Sequence, residues 1–178
     1  MMKKTNTKSY RMLVVVALAV SCFPALALAA IHVDLAVDST TAPPSLHVTG
    51  NSAQCPGGAL DCVQVSKGDS PNLYFDLDKA CESGGPAYKL EQFRIAMAEK
   101  QWPTSSNPLP AEVADDFNAD PNTGLVNLAA GSNQLKDARI KFKDKNSSAY
   151  TVFYEITAQE CDGEGEIKLD PAIVNTGK

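Results

Sequence analysis

The chain has 178 residues, 44% of them hydrophobic, with 16 Lys plus Arg against 21 Asp plus Glu and a formal net charge of −5. Residues 1–30 hold four of the basic side chains and no acid, so the remaining 148 residues carry 12 basic against 21 acidic groups, a net charge of −9. That balance speaks against a nucleic-acid-binding protein, which must neutralise phosphate, and the length suits one domain burying roughly 70% of its unfolded surface.

Residues 1–30 read as a secretory signal peptide. Lys3, Lys4, Lys8 and Arg11 give a basic start, residues 12–20 an apolar stretch, and Ala25, Ala27, Ala29 and Ala30 the small residues of a cleavage region. Cleavage after Ala29 or Ala30 is expected, leaving a single domain over residues 31–178 that is secreted or periplasmic. No transmembrane span is expected, because Ser21 and Pro24 interrupt an apolar run already shorter than the about 20 residues that cross a bilayer. Leu18-Ala19-Val20-Ser21-Cys22 resembles the box before a lipid-modified cysteine, but Ala19 stands where a larger aliphatic is usual and the next segment is too apolar for a tether. A lipid anchor at Cys22 is therefore disfavoured.

Four cysteines remain, Cys55, Cys62, Cys81 and Cys161, an even number in an oxidising compartment. Of the three possible connectivities we favour Cys55 with Cys62, closed through Pro56-Gly57-Gly58, and Cys81 with Cys161. The second closes a long loop and constrains the unfolded chain by roughly 4 kcal/mol on the entropy model. With no Cys-x-x-Cys pair and no neighbouring histidine, zinc and thiol redox chemistry are disfavoured.

Period-two alternation dominates residues 31–178. Ile31, Val33, Leu35 and Val37 alternate with His32, Asp34 and Ala36 in a first strand, and Leu46 and Val48 mark a second, ended by Gly50-Asn51. Val63 and Val65 form a third, and Leu73, Phe75 and Leu77 a fourth beyond the Gly68-Asp69-Ser70-Pro71 turn. Residues 88–99 read as a strand through Phe93, Ile95 and Met97, although Leu90, Phe93 and Met97 also fit one helical face. Residues 101–121, with Pro103, Pro108, Pro110 and Pro121, read as a long irregular excursion of a kind that is uncommon unless functional or mobile. Strands are expected again at Leu125, Val126 and Leu128, at Ile140 and Phe142, over Tyr150, Val152, Tyr154 and Ile156, and at Ile167 and Leu169. About nine short strands and no long helix predict an all-β protein, an antiparallel β-sandwich.

Candidate chemistry is sparse. His32 and His47 fall at the polar phase of their strands, and no Gly-x-Ser-x-Gly elbow, catalytic triad or phosphate-binding loop occurs, so no catalytic residue is nominated. Asp116, Asn118 and Asp120 present oxygens at loop positions one, three and five, as calcium loops do, but Pro121 replaces the turn glycine and Asn127 the bidentate glutamate. That leaves an irregular calcium site as the one cofactor expectation. Asp162, Glu164 and Glu166, spaced by glycines, read as a charged hairpin tip. Arg139, Lys141, Lys143 and Lys145 share one strand face, a ridge for an anionic partner or a guard against edge pairing. Trp102, the sole tryptophan, anchors the long loop or receives a ligand such as a sugar. Asn146-Ser147-Ser148 is formally a glycosylation acceptor.

The last third resembles the DP-EP family of small bacterial β-sandwich proteins. The residues that carry the likeness are Phe142-Lys143-Asp144-Lys145-Asn146, the alternating strand from Tyr150 to Ile156, and Leu169-Asp170-Pro171-Ala172-Ile173-Val174-Asn175, with Thr176-Gly177 in place of the usual Glu-Pro. The resemblance implies an immunoglobulin-like sandwich and no established activity; Asp170-Pro171 would cap a final strand, since proline cannot donate to a ladder. The expectation is thus an exported, disulfide-stabilised binding or structural module acting through its surface on an unknown protein or surface ligand. The alternatives are an enzyme with a carboxylate site under the 101–121 loop, or a weak calcium binder.

Overall fold

The computed structural model describes residues 30–78, 80, 81 and 88–177. Residues 1–29, with Cys22 and all but the last residue of the expected signal peptide, lie outside the described residues. No helix among the described residues is long and apolar enough to cross a membrane.

The described residues form ten strands and one short helix in the order β1 (Ile31–Asp38), β2 (Ser45–Asn51), β3 (Cys62–Val65), β4 (Asn72–Leu77), β5 (Tyr88–Ala96), α1 (Ala111–Phe117), β6 (Gln134–Lys136), β7 (Arg139–Lys143), β8 (Ala149–Glu160), β9 (Glu166–Leu169) and β10 (Ala172–Thr176). One sheet runs β2-β1-β4-β7-β6; the other runs β3-β10-β8-β5, with β9 also paired to β8. Both contribute to one core, because alternation sends every second side chain inward. At its centre Phe75, Phe93, Phe142 and Tyr154 meet with ring centroids 4.6 to 5.9 Å apart, joining β4 and β7 of one sheet to β5 and β8 of the other.

The all-β expectation holds, but the purely antiparallel one does not. β1 pairs with β4, and β3 with β10, in parallel, so both sheets are mixed. Neither parallel pair joins strands that are consecutive in sequence, which is why no hairpin signal announced it. Leu125 to Leu128 form no strand. Instead the backbone from Asn118 to Asn127 folds on itself and docks on the free edge of β5, with Ile95 N–H donating to Gly124 O at 2.9 Å and Val126 N–H to Phe93 O at 3.0 Å. Gly124 is obligatory there: its φ is +73°, and a Cβ would stand 2.1 Å from Ile95 O.

The excursion at 101–121 contains α1, which proline-rich composition concealed. Pro110 precedes the helix, Asn118 ends it in the left-handed conformation, and Val113, Ala114, Asp116 and Phe117 form its buried face. Two further strands went unforeseen. β6 has only three residues, and β10 comes directly after Asp170-Pro171. That motif does not cap a final strand: β9 and β10 keep one register against β8, so Pro171 interrupts a single long strand opposite Tyr154. Tyr154 N–H still donates to Pro171 O at 2.9 Å, but the return bond has no donor.

Both favoured disulfides are present, Cys55–Cys62 across a separation of 7 and Cys81–Cys161 across 80. Loop-closure entropy makes the second worth about 4.5 kcal/mol and the first about 2.4. Replacing both members of the long bridge by Ala is therefore expected to lower the urea midpoint about twice as far as the same change in the short one.

Tyr154 is fully buried and its hydroxyl has no hydrogen-bond partner among the described residues, while burial drives its pKa well above the usual phenol range. Tyr154→Phe removes an unsatisfied oxygen and leaves the ring packing intact. It is expected to hold or raise stability, by up to about 1 kcal/mol in chemical denaturation.

Candidate functional site

The outward face of the β5-β8-β9 layer carries the strongest constellation. Arg94 on β5 stands opposite Glu155 on β8, and the shared register of β9 and β10 places Asp170 on the other side of Glu155. Three charged residues therefore form one row across three strands. Glu155 is only 4% exposed although it points away from the core. Arg94 compensates it, with Nη2 donating to Oε2 at 3.0 Å and Nε 2.8 Å from Oε1 in an ion-pair contact off the hydrogen-bond line. Lys168 adds its ammonium 3.6 Å from Oε1. A buried carboxylate demands such pairing, since the desolvation of an uncompensated charge costs several kcal/mol.

The guanidinium also lies over Trp102, its Cζ 3.8 Å from the ring centroid. Trp102 is half-buried and its neighbour Pro103 is buried, so this pair anchors the start of the long loop to the sheet. Asp170 is exposed, and its pKa is raised by partial burial and by the neighbouring Glu155 carboxylate, against the lowering influence of Lys100 and Arg94. A partly exposed ring, a carboxylate and the amines of Lys100 and Lys168 thus lie together where the loop leaves the sheet.

Beneath that loop is a cavity of about 180 Å³, lined chiefly by Met97, Gln101, Pro103, Asn107, Pro108 and Leu109. Its lining is apolar or amide in character. The convergent carboxylates expected for an enzyme under the 101–121 loop are not there; Glu155 and Asp170 sit on the sheet face beside Trp102.

Each calcium candidate is engaged with partners of its own. Asp116 is buried on α1, where its Oδ2 accepts hydrogen bonds from Ser147 N–H at 2.8 Å and the Tyr150 hydroxyl at 2.6 Å. Asn118 is the left-handed cap of α1, and Asp120 is occupied in a turn, its Oδ1 accepting from Asn122 N–H and Thr123 N–H at 2.8 and 3.0 Å. Among the described residues no group of three or more His, Cys, Asp or Glu side chains could hold a metal ion.

The opposite sheet presents a second surface. His32 stacks on Tyr74 at 4.6 Å, Arg139 and Lys141 lie over the same ring at 5.4 and 5.8 Å, and Asp76 bridges His32 and Arg139. An open groove of about 750 Å³ beside them is lined by Asp34, Thr49, Asp76, Asp78, Lys136 and Arg139. Its central charges are already paired, and Tyr74 has neighbours on both ring faces. Of the basic ridge, Arg139, Lys141 and Lys143 lie on β7 and Lys145 beyond it; β6 covers the strand only opposite Arg139–Lys141. His47 is exposed, as its strand phase required. Asp162 and Glu164 fall in the β8–β9 turn, and Glu166 opens β9.

No protein-family model matches the chain, and no curated protein matches it.

One group of functional character escaped the sequence reading. Asp144, Asn146 and Asn175 are buried at 0 to 2% exposure and bonded to one another. Asn146 N–H donates to Asp144 Oδ1 at 2.8 Å, and the Asn175 amide donates to the same oxygen at 3.2 Å. Asn146 also donates to the carbonyls of Ser66 and Asp69 and accepts from Gly177 N–H, so it is unavailable for glycosylation in the folded protein. The signal was there to find: Asp144 and Asn146 continue the inward phase of Ile140 and Phe142, and Asn175 that of Ile173. A polar residue on an apolar phase announces a buried partner.

Because the chain has one tryptophan, its fluorescence reports this site without ambiguity. Arg94→Leu is expected to shift the emission of Trp102 and, by leaving Glu155 with Lys168 alone, to cost about 3 kcal/mol in chemical denaturation. Unchanged emission would show that Arg94 does not fix the ring.

Proposed function

We propose that this is an exported binding module, immunoglobulin-like in architecture, that takes a hydroxylated ligand such as a sugar ring on the face around Trp102. The observation that carries the reading is the arrangement of that side chain. Arg94 supports one face of the ring, Glu155 holds Arg94, and half-burial leaves part of the aromatic surface accessible beside Asp170 and Lys100. An aromatic ring fixed before binding loses little conformational freedom when a ligand stacks on it, and nearby charged groups supply hydrogen bonds to hydroxyls. Two disulfides support a secreted or periplasmic setting, where bacterial envelope glycans are within reach. The likeness to the DP-EP family belongs to the same reading, since it implies a sandwich and no activity.

The adjacent Glu155 and Asp170, one with a raised pKa, favour a catalytic carboxylate pair as the second reading. Their carboxyl groups lie within hydrogen-bond reach of one another, closer than the about 5 Å at which a pair flanks a glycosidic bond, which places this reading behind the first.

Titration of the purified, oxidised protein with soluble peptidoglycan fragments and a panel of envelope polysaccharides tests the proposal. At least one glycan is expected to change Trp102 emission saturably, and Trp102→Ala to abolish its retention while both disulfides and the strand circular dichroism persist. A blank panel, or binding indifferent to Trp102, overturns it. Release of reducing ends by the wild type that Asp170→Asn lacks would favour the carboxylate-pair reading instead.

A further inference from the structure

The end of the core between the β7–β8 turn and β10 holds two polar atoms that no other feature explains. Asp144 Oδ2 and Asn175 Oδ1 are both fully buried and both without a hydrogen-bond partner among the described residues. They belong to side chains already joined by one bond, from Asn175 Nδ2 to Asp144 Oδ1 at 3.2 Å. Two acceptors left over beside one completed donor–acceptor pair are the pattern expected when a single proton completes the set. A carboxylic acid and a primary amide then form a closed two-bond ring, each group donating once and accepting once.

We infer that Asp144 is neutral in the folded protein and donates its proton from Oδ2 to Asn175 Oδ1, so that a proton-dependent acid–amide pair fastens the carboxyl-terminal strand to the β7–β8 turn. The ring ties together segments that no covalent bond holds. Asn146 extends it to Ser66, Asp69 and Gly177, and Ser70 donates to Asp144 O at 2.9 Å, so the β3–β4 turn and the end of β10 share one lock.

The surrounding charges point the same way. Burial raises the Asp144 pKa from 3.8 to about 7, the bonds from Asn146 and Asn175 oppose that rise, and the Asp116 carboxylate on α1 adds to it. From β8, Tyr150 donates to Asp116, and burial pushes its phenol upward, so it stays neutral and brings no charge. The β3–β4 turn contributes exposed Lys67 and Asp69, and Lys143 and Lys145 flank Asp144 on its own segment but are exposed on the opposite phase. β10 brings amides and hydroxyls. Among the described residues no cation is bonded to Asp144 to stabilise its ionised form.

Proton linkage fixes the sign. Below the unfolded value near 3.8 both states hold the proton and the pair contributes in full; as pH rises toward 7 the unfolded chain ionises while the folded one resists, and stability falls; above 7 both are ionised and the loss is constant. Over that window the unfolding equilibrium constant shifts by roughly a thousandfold, tenfold for each unit of pH.

Thermal melts of the oxidised full-length protein and of Asp144→Asn, from pH 4 to 9, test the inference. In the variant an amide nitrogen donates where the acid proton did, so its melting temperature should match the wild type near pH 4, exceed it progressively to pH 7, and stay above it at pH 9. Asn175→Ala should cost more at pH 5 than at pH 8, where ionisation has already opened the ring. Infrared difference spectra should show a protonated carboxyl band at pH 6 that Asp144→Asn lacks. Loss of stability in Asp144→Asn at pH 8, absence of that band, or stabilisation of the wild type by calcium that the variant lacks would each overturn the proton in favour of an ionised Asp144.

Discussion

Register along β8 is the constraint on which the rest of this molecule rests. Val152, Tyr154, Ile156 and Ala158 face inward and complete the aromatic core, while Glu155 and Thr157 between them face the loop that Trp102 anchors. The same strand pairs with β5 on one edge and with β9 and then β10 on the other. A slip of one residue would exchange the two faces, placing the charged row in the core and the apolar set outside. It would also move Tyr150 away from Asp116 and displace Cys161 from Cys81. The long disulfide, the core and the charged row therefore support one another, although no single one of them specifies the fold.

The second organising feature is that alternation outlasts apolarity. Along β7 the inward phase runs Ile140, Phe142 and then Asp144 and Asn146; along β10 it runs Ile173 and then Asn175. Where the two strands leave the apolar centre, the inward positions become polar together and satisfy one another. The outcome is a sealed end to the core made from hydrogen bonds, in a place where the chain must turn and where backbone groups of Ser66, Asp69 and Gly177 need partners. Asn146 suits the turn for a second reason, since its φ of 47° is one that asparagine tolerates better than most residues.

Much of this was legible in the sequence, and the limits have physical causes. Alternation located eight of the strands because half-buried strands must alternate, and the Pro-Gly-Gly segment and the remaining pair of cysteines led to both disulfides. Parallel pairing was illegible because β1 and β4, and β3 and β10, are joined by no turn whose residues could signal it. Leu125, Val126 and Leu128 have a strand-like composition, yet Gly124 and the turn at Asp120 bend them onto the edge of β5 rather than into a sheet. The site was legible only in part. Trp102 stood out by being alone, but its support did not, because Arg94 and Glu155 are 61 residues apart and meet only once the register of β5 on β8 is fixed. Asp116 attracted attention through its spacing from Asn118 and Asp120, whereas its role is set by Tyr150 and Ser147, more than thirty residues away.

The buried lock limits what the carboxyl-terminal motif can mean. Asp144, Asn146 and Asn175 are engaged with each other and hidden from solvent. Asp170-Pro171 contributes an interruption in a strand and one member of a charged row. Side chains consumed in a buried lock cannot also meet a ligand, so these positions serve to close the end of the core. Function must be sought in residues with free surface. On the face of β5, β8 and β9 those are Trp102, Lys100, Lys168 and Asp170, carried by a loop and a broken strand whose sequences the lock leaves free to vary.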